Sequence, residues 1–505
     1  MLIYSGRVRF LFSLVSNIFR GILNFATNLL IARFLLPAEY GQLAFLLTSF
    51  LAVTQFFDQG VTAAFYTFIS REKSRLSDGF VYLVWLLVQL FAVCFFILLV
   101  GPHAWILKIW QGSPKEMIVL AFLAVFMQQV VWWSVAQLGE AKRKTIVVQS
   151  ATMICAVFFL LAIFVVHVMG SFYINSVFVV MITVYFVASL VLFIVLTKDF
   201  FIFPRAFSWR DLQQSFLDYW YYCRPLIFQS VVTFFYTFWD AWLLTHFAGA
   251  IQQAFFQIGQ RFTGVCLLGA TAVMRVFWKE LSSLYGQGNQ ERLKEVFFQT
   301  LYAVTFMGAV ICGFLVFWSK EIILFALGAS YEPGWLVLAV MFFYPLHQGV
   351  GQLIGAAYYA TSRTVLSAKL SLIMLPFGIP ISYFVLAPAH AWIPGLGLGA
   401  LGVALKTVIL NVINVNLFVY VFCKVNHWKY SGAREIFLIV FTCALGFLSK
   451  IFCVEFVLIF FKCPLILEMA IGGVFYILII LAFLLWKPEW FLGMDRKNLL
   501  KLLKF

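Results

Sequence analysis

Charged residues are scarce in this chain: Asp, Glu, Lys and Arg together make up 11% of its 505 residues. Soluble globular domains carry about a quarter of their residues as charges. Disordered chains are also rich in charged and polar residues, because they cannot bury enough apolar surface to fold. The shortage of charge therefore excludes both classes.

Cysteine is also sparse, and its spacing is irregular. The nine cysteines form no Cys-x-x-Cys pair, and most of them fall inside apolar runs. Closely paired cysteines are the usual sequence signature of zinc sites and redox motifs. We therefore expect no metal site, no cofactor and no disulfide framework.

Apolar residues make up 64% of the chain. A helix needs about 20 mainly apolar residues to cross a bilayer, and Gly and Pro breakers divide the sequence into fourteen such segments. We place them at roughly 13–35, 41–66, 80–101, 117–138, 146–168, 173–197, 225–246, 251–274, 296–318, 335–359, 365–387, 396–422, 435–459 and 466–486. The sequence predicts an all-α polytopic membrane protein with two six-helix bundles around a central cavity and two additional C-terminal helices. No room remains for a nucleotide-binding domain of about 150–200 residues.

The distribution of Lys and Arg predicts the orientation of these helices. With the N-terminus inside, 26 of the 35 basic residues fall in inner segments and four in outer loops. Cytoplasmic loops of membrane proteins are enriched in Lys and Arg. We therefore predict that both termini are cytoplasmic, and the net charge of +15 needs no nucleic-acid partner to explain it.

The longest inner connection suggests a domain division. We predict an N-terminal six-helix bundle at 1–197, a cytoplasmic or interfacial connection at 198–224, a C-terminal six-helix bundle at 225–423, and two extra helices with a basic cytoplasmic tail at 424–505. The Phe, Trp and Arg residues of 198–224 fit a helix in the membrane interface or a plain linker equally well. Similar exits from the first and seventh helices indicate two related halves, a pattern common in secondary transporters.

The first predicted helix carries a polar face. Asn17, Arg20, Asn24 and Asn28 follow one another at steps of three or four residues, which places them on one side of a helix. Ionisable groups inside a membrane cost about 2.5–3.5 kcal/mol on insertion scales. This face is therefore predicted to line a cavity or a helix interface.

Each predicted half has an Arg and an Asp on its first two helices. Arg20 and Asp58 fall at a common depth, as do Asp240 and Arg261, counted at about 1.5 Å per residue. The two pairs are either ion pairs that set helix packing or parts of a basic cavity for an anionic ligand. Arginine suits phosphate because its planar fork matches two oxygens.

Further polar residues lie on later helices. Gln257 shares the stripe of Arg261, and Lys406 and Asn411 lie on the twelfth predicted helix. The interior positive charges outnumber the acidic ones, which favours an anionic substrate. Asp58 and Asp240 are alternatively sites that take up protons and couple movement to an ion gradient.

Two observations argue against enzymatic chemistry. Residues 397–402 read GLGALG, but this Gly-x-Gly-x-x-Gly run opens an apolar helix and follows no strand. Its glycines are expected to allow close helix packing rather than nucleotide binding. The outer loops are short and offer no paired carboxylates, so we expect no enzyme.

The opening of the chain resembles a known family. The run at 29–70 is similar to the start of the polysaccharide and O-antigen flippases of the multidrug/oligosaccharidyl-lipid/polysaccharide exporter superfamily. Its shared motifs are Ala32-Arg33-Phe34-Leu35, Pro37-Ala38-Glu39-Tyr40-Gly41 and Asp58-Gln59-Gly60. The run GLGLGALGVALKTVILN at 395–411 is similar to the entry of a second-half helix in that family.

The resemblance implies a function and a location. Such proteins move a lipid-linked oligosaccharide, an O-antigen or other polysaccharide repeat unit on polyprenyl pyrophosphate, across the cytoplasmic (inner) membrane by alternating access. In the related lipid-linked peptidoglycan flippases, cavity arginines bind the pyrophosphate, and Arg20 and Arg261 occupy similar positions here. The sugar is then expected among Asn24, Asn28, Gln257 and Asn411. A polysaccharide polymerase is a further expected partner. The open alternatives are a cation-coupled drug or metabolite antiporter of the same fold and a membrane enzyme acting on the same glycolipid.

Overall fold

The structure is a computed structural model that describes residues 6–71, 75–197, 208–453 and 465–493. Within these ranges the chain is helical and contains no strand. A helix satisfies all its backbone hydrogen bonds internally, which a segment surrounded by lipid requires. The predicted all-α class is therefore confirmed.

The helices up to residue 248 are α1 (Gly6–Phe34), α2 (Pro37–Asp58), α3 (Val61–Ile69), α4 (Leu76–Phe95), π1 (Phe96–Val100), α5 (His103–Ile109), α6 (Lys115–Val125), π2 (Phe126–Val131), α7 (Trp132–Ala141), α8 (Thr145–Val168), α9 (Ile174–Thr197), α10 (Trp209–Cys223) and α11 (Ile227–Ala248). Here π1 and π2 are π-helical segments.

The later helices are α12 (Ala250–Cys266), α13 (Leu268–Gly286), α14 (Gln290–Leu315), α15 (Ser319–Leu327), a 3₁₀ turn (Ala329–Gly334), α16 (Trp335–Met341), α17 (Tyr344–Ala360), α18 (Thr364–Leu386), α19 (Gly399–Val425), α20 (Ala433–Phe452), α21 (Leu465–Trp486) and α22 (Pro488–Leu492).

Eleven helical segments of the described chain are long and apolar enough to cross a membrane. Each of them matches one of the fourteen predicted spans. The other three predicted spans, 13–35, 225–246 and 251–274, also form helices. These three carry most of the candidate polar residues. The chain is a multi-pass membrane protein.

Contacts divide the chain into two compact units, Met1–Ala254 and Phe255–Phe505. In the first unit, α1 packs along α8, and α2 packs against α6 and α11. In the second unit, α14 packs against α17 and α20, and α19 against α17 and α18. The four-segment domain division made from the sequence stays a prediction.

Two helices predicted as continuous are interrupted. The predicted helix 41–66 breaks after α2, because Gln59 and Gly60 both adopt left-handed conformations with φ of 44° and 84°. The predicted helix 251–274 divides at Leu267, between α12 and α13, and α13 continues to Gly286. Both predictions of an uninterrupted span were wrong. The first break is important because it positions the site described below.

The connection between the predicted halves contains the amphipathic helix α10. Ser208 and Asp211 form a capping box at its start. Ser215 donates from its hydroxyl to the Asp78 carboxylate at 2.6 Å, and the Tyr219 hydroxyl donates to the Asp78 backbone oxygen at 3.1 Å. Burial raises the pKa of Tyr219, so the phenol stays protonated as a donor. Residues 198–207 lie outside the described part, and the interfacial location of the connection stays a prediction.

The glycine-rich run 397–402 serves helix packing, as expected. A Cβ at Gly402 would lie 2.4 Å from a methyl carbon of Val385, so α19 approaches α18 more closely than an alanine would allow. The run begins a helix and follows a loop. In the C-terminal segment, residues 454–459 of the predicted thirteenth helix and the basic tail from 494 onward lie outside the described residues.

Candidate functional site

A cavity of about 490 Å³ lies within the first unit. Its walls come from the second half of α2, from α3, α4, π2 and α7, and from the start of α11. The residues that line it are Leu51, Thr54, Gln55, Asp58, Gly60, Thr62, Gln89, Gln129, Val130, Trp133, Gln137, Leu226, Gln229, Ser230 and Thr233.

The lining of this cavity is unusually polar for a membrane protein interior. It includes five glutamines, four hydroxyl side chains and one carboxylate. No Lys or Arg side chain is among the described lining residues. Polar side chains at membrane depth are costly and mark substrate or ion pathways, so this cavity is the candidate functional site.

Asp58 lies at the break between α2 and α3. Its carboxylate accepts the backbone N–H of Gly60 and of Thr62, each at 3.2 Å, and a short hydrogen bond from the Thr62 hydroxyl. The carboxylate therefore caps α3, whose first N–H groups have no partners within the helix. A negative charge at a helix N-terminus is also favoured by the helix dipole.

Gly60 makes this break possible. Its φ of 84° is costly for any residue with a Cβ, and a Cβ there would lie 2.4 Å from Cδ1 of Leu226. We expect Gly60→Ala to lower the free energy of unfolding by at least about 1–2 kcal/mol, the usual cost of a left-handed residue. The measurement is thermal unfolding of the purified protein in detergent.

The matched control for this variant is Gly264→Ala. Gly264 lies inside α12, and a Cβ there would contact no atom within 4 Å. The control should unfold at the temperature of the unmodified protein or above it, because alanine favours a helix more than glycine does. Equal stability of the two variants would contradict the strained break.

A chain of hydroxyl groups leads away from Asp58. The Thr62 hydroxyl lies 3.3 Å from the Tyr82 hydroxyl, which lies 2.6 Å from the Ser134 hydroxyl. Ser134 donates in turn to the backbone oxygen of Val130 at 2.6 Å. Hydroxyl groups both donate and accept hydrogen bonds. These hydroxyl groups therefore lie in a row from the carboxylate to α4 and α7.

A second polar chain leads from the cavity wall to Tyr185 on α9. Gln129 donates to Gln128 at 3.4 Å, and Gln128 donates to the Tyr185 hydroxyl at 2.8 Å. Arg20 donates to Asn17 at 3.0 Å. Both glutamines lie in π2, a segment type frequent at functional sites. Gln129 lines the cavity, whereas Gln128 contacts α9.

The predicted residues of the first unit lie in different surroundings. Arg20 is half-buried and pairs with Asn17, whereas Asp58 lies in the cavity, and the described side chains show no ion pair between them. Asn24 is exposed, and Asn28 donates to its backbone oxygen at 2.7 Å. Asp240 is half-buried on α11.

The predicted residues of the second unit are similarly dispersed. Gln257 is buried and Arg261 exposed, both on α12. Lys406 is buried and donates to the Ser382 hydroxyl on α18 at 2.8 Å. Asn411 donates to a backbone oxygen of α17 at 3.4 Å. Lys406 and Asn411 therefore have partners on different helices, and the binding roles predicted for these four residues stay predictions.

Of the cavity residues, the sequence analysis identifies Asp58 but none of the five glutamines. One signal was available: Gln129, Trp133 and Gln137 follow one another at steps of four, which places them near one face of a helix. Within the described residues, no group of three or more His, Cys, Asp or Glu side chains could hold a metal ion.

The fold and the cavity define a polytopic helical membrane protein with a polar interior site. The family model described as "Polysaccharide biosynthesis protein" matches residues 9–269, more than half of the chain, so the chain belongs to that family. A second model, MatE, matches residues 225–384. No curated protein matches the sequence.

Solved structures share the fold at low sequence identity. The lipid II flippase MurJ, in an inward closed conformation, is 16% identical with a TM-score of 0.68, and the match covers 94% of this chain and 98% of that one. An inward-facing multidrug resistance MATE family transporter is 14% identical with a TM-score of 0.59, and the match covers 79% of this chain and 93% of that one. The Vibrio cholerae MATE transporter VcmN in the bent form is 13% identical with a TM-score of 0.53, and the match covers 83% of this chain and 96% of that one. These matches show the fold, and the family model over residues 9–269 confirms the expected polysaccharide family.

Proposed function

We propose that this protein is a flippase that moves a polyprenyl-pyrophosphate-linked oligosaccharide from the inner to the outer leaflet of the cytoplasmic membrane. The observation that carries the proposal is the polar cavity around Asp58, enclosed by apolar helices of a chain in the polysaccharide biosynthesis family. A glycan headgroup needs such a polar path, because lipid offers its hydroxyl groups no hydrogen-bond partners.

The position of the cavity fits loading from the cytoplasmic side. The helix α4 begins directly after Arg75, α11 begins three residues after Arg224, and α7 ends directly before the basic run 142–144. Basic flanks mark the cytoplasmic ends of membrane helices. Trp133 and Gln137 lie on α7, so this part of the wall approaches the basic end.

The pyrophosphate is proposed to contact Arg20 and Arg261. The described contacts of Arg20 use one N–H, toward Asn17. A guanidinium carries five N–H donors, so others remain for an anion.

Coupling to an ion gradient is proposed for Asp58, with Asp240 as the other candidate. Asp58 combines a carboxylate on the cavity wall with the hydroxyl chain through Thr62 and Tyr82. We propose that the coupling ion is a proton and that this carboxylate takes it up. A protonated Asp58 would lose its negative charge at the start of α3 and change the local helix cap.

A cation-coupled antiporter of the same fold is the second candidate function. The observation that favours it is the charge of the cavity, whose described lining holds one carboxylate and no basic group. An organic cation would be attracted to Asp58. A membrane enzyme acting on the glycolipid is the third alternative.

Transport by proteoliposomes separates these candidates. The purified protein is reconstituted with a fluorescent polyprenyl-pyrophosphate oligosaccharide, and the loss of accessibility to a membrane-impermeant quencher is recorded with and without a proton gradient. We expect protein-dependent movement that the gradient alters. Accumulation of a fluorescent organic cation without glycolipid movement would favour the antiporter, and a chemically altered glycolipid would favour the enzyme. Either result would contradict the flippase.

A further inference from the structure

We propose that the cavity around Asp58 is a subsite for an uncharged sugar ring of the glycolipid headgroup. This inference rests on the proposed flippase function and adds the substrate class of its site. Five glutamine side chains line the cavity, one each from α2, α4, π2, α7 and α11. Each amide offers one acceptor oxygen and two N–H donors.

The amide lining matches neutral hydroxyl groups better than charged groups. A sugar hydroxyl donates one hydrogen bond and accepts others, so an amide can serve either role. A phosphate or a uronate would need cationic donors, which bind such anions through strong charge-assisted bonds, and the described lining offers none. The Asp58 carboxylate would additionally repel an acidic sugar.

One cavity glutamine has a buried polar atom without a partner. The Oε1 atom of Gln137 is buried and unpaired within the described chain. A buried polar atom without a partner costs about 1–3 kcal/mol, so this oxygen would gain from a ligand that donates a hydrogen bond. Gln89 is 3% exposed and also lines the cavity, on α4.

Trp133 supplies the apolar part of the subsite. Its side chain is large and half-exposed on the cavity wall, with Gln129 and Gln137 four residues before and after it. A sugar ring has C–H faces and a rim of hydroxyl groups. The indole face can cover the C–H surface, because aromatic rings bury large apolar areas, while the flanking amides reach the rim.

The remaining geometry is compatible with this ligand. Oδ2 of Asp58 accepts only the Gly60 N–H among the described contacts, so it can also accept a sugar hydroxyl. The volume of about 490 Å³ falls in the range of about 300–1,000 Å³ that is typical of small-molecule sites. The cavity therefore accommodates a sugar together with ordered water.

Binding measurements with three lipids test the subsite. Fluorescent polyprenyl pyrophosphates carrying a neutral glycan, a uronate-containing glycan or no sugar are titrated against the purified protein in detergent. The unmodified protein should bind the neutral glycan most tightly. Trp133→Ala and Gln89→Leu should raise the Kd for the neutral glycan about 10-fold, equivalent to about 1.4 kcal/mol. They should change the Kd for the sugar-free lipid less than about 2-fold.

Conservative variants control for folding. Trp133→Phe retains an aromatic face, and we expect it to bind the neutral glycan within about 3-fold of the unmodified protein. Gln137→Ala provides a second amide test if Gln89→Leu does not accumulate. An equal loss for the glycan and for the sugar-free lipid, or tighter binding of the uronate glycan, would overturn the subsite. Failure of the unmodified protein to move any glycolipid in proteoliposomes would instead overturn the proposed function.

Discussion

Asp58→Asn is expected to remove the response of glycolipid movement to a proton gradient. The rate of movement under that gradient should fall at least about 10-fold, which corresponds to a rise of about 1.4 kcal/mol in the activation free energy. Asparagine retains one side-chain oxygen, which can accept the Thr62 N–H as Oδ1 of Asp58 does, and asparagine is a good helix cap. The variant therefore keeps the break between α2 and α3 while it removes the group that takes up a proton.

Two further variants isolate this effect. Asp218→Asn removes a carboxylate that pairs with Arg75 at 3.2 Å near the surface, and its gradient response should stay normal. Asp58→Ala removes both the charge and the cap, so it should also lower the thermal unfolding temperature. A normal gradient response in Asp58→Asn would exclude Asp58 as the coupling group and leave Asp240 as the candidate.

Loss of Arg20 and Arg261 is expected to abolish glycan export in cells while the protein still accumulates. A hydrogen bond to a charged group contributes about 1.5–3 kcal/mol, which corresponds to about 10- to 150-fold in affinity. Each single change to alanine should therefore impair export, and the double change should remove it. The measurement is surface glycan, normalised to the amount of protein in the membrane.

The control for the arginine variants is Arg292→Ala. Arg292 is exposed on α14 and pairs with Glu295 at 2.7 Å, so its loss should leave export intact. Arg20→Lys retains the charge but not the planar guanidinium, so we expect its glycan export to lie between that of the unmodified protein and that of Arg20→Ala. Full export by the double Arg20/Arg261 variant would exclude a pyrophosphate clamp formed by these two side chains.

Much of the fold could be predicted because the membrane imposes a simple rule. Long apolar runs must be helices, and the eleven segments that satisfy length and hydropathy all match predicted spans. The break between α2 and α3 at Gln59 and Gly60 could not be predicted from apolar run length. Glycine is tolerated inside membrane helices, and glutamine rarely adopts the left-handed φ found at Gln59, so neither residue marks the break in the sequence.

The candidate site was harder to predict for an electrostatic reason. The sequence analysis weighted charged residues because their cost in a membrane is large, and it identified Asp58 in this way. The glutamines carry no charge, and they come from several helices that are distant in the sequence, so no single segment marks them as one site. Their convergence depends on how α2, α4, π2, α7 and α11 pack in the first unit.

An electron cryo-microscopy structure of the protein with a bound lipid-linked neutral oligosaccharide would test the central claim most directly. We predict sugar density in the cavity of the first unit, against the indole of Trp133 and within hydrogen-bond distance of Gln89 and Asp58. The same cavity should hold only water without the lipid. Ordered glycan density elsewhere, with this cavity unchanged, would contradict the account.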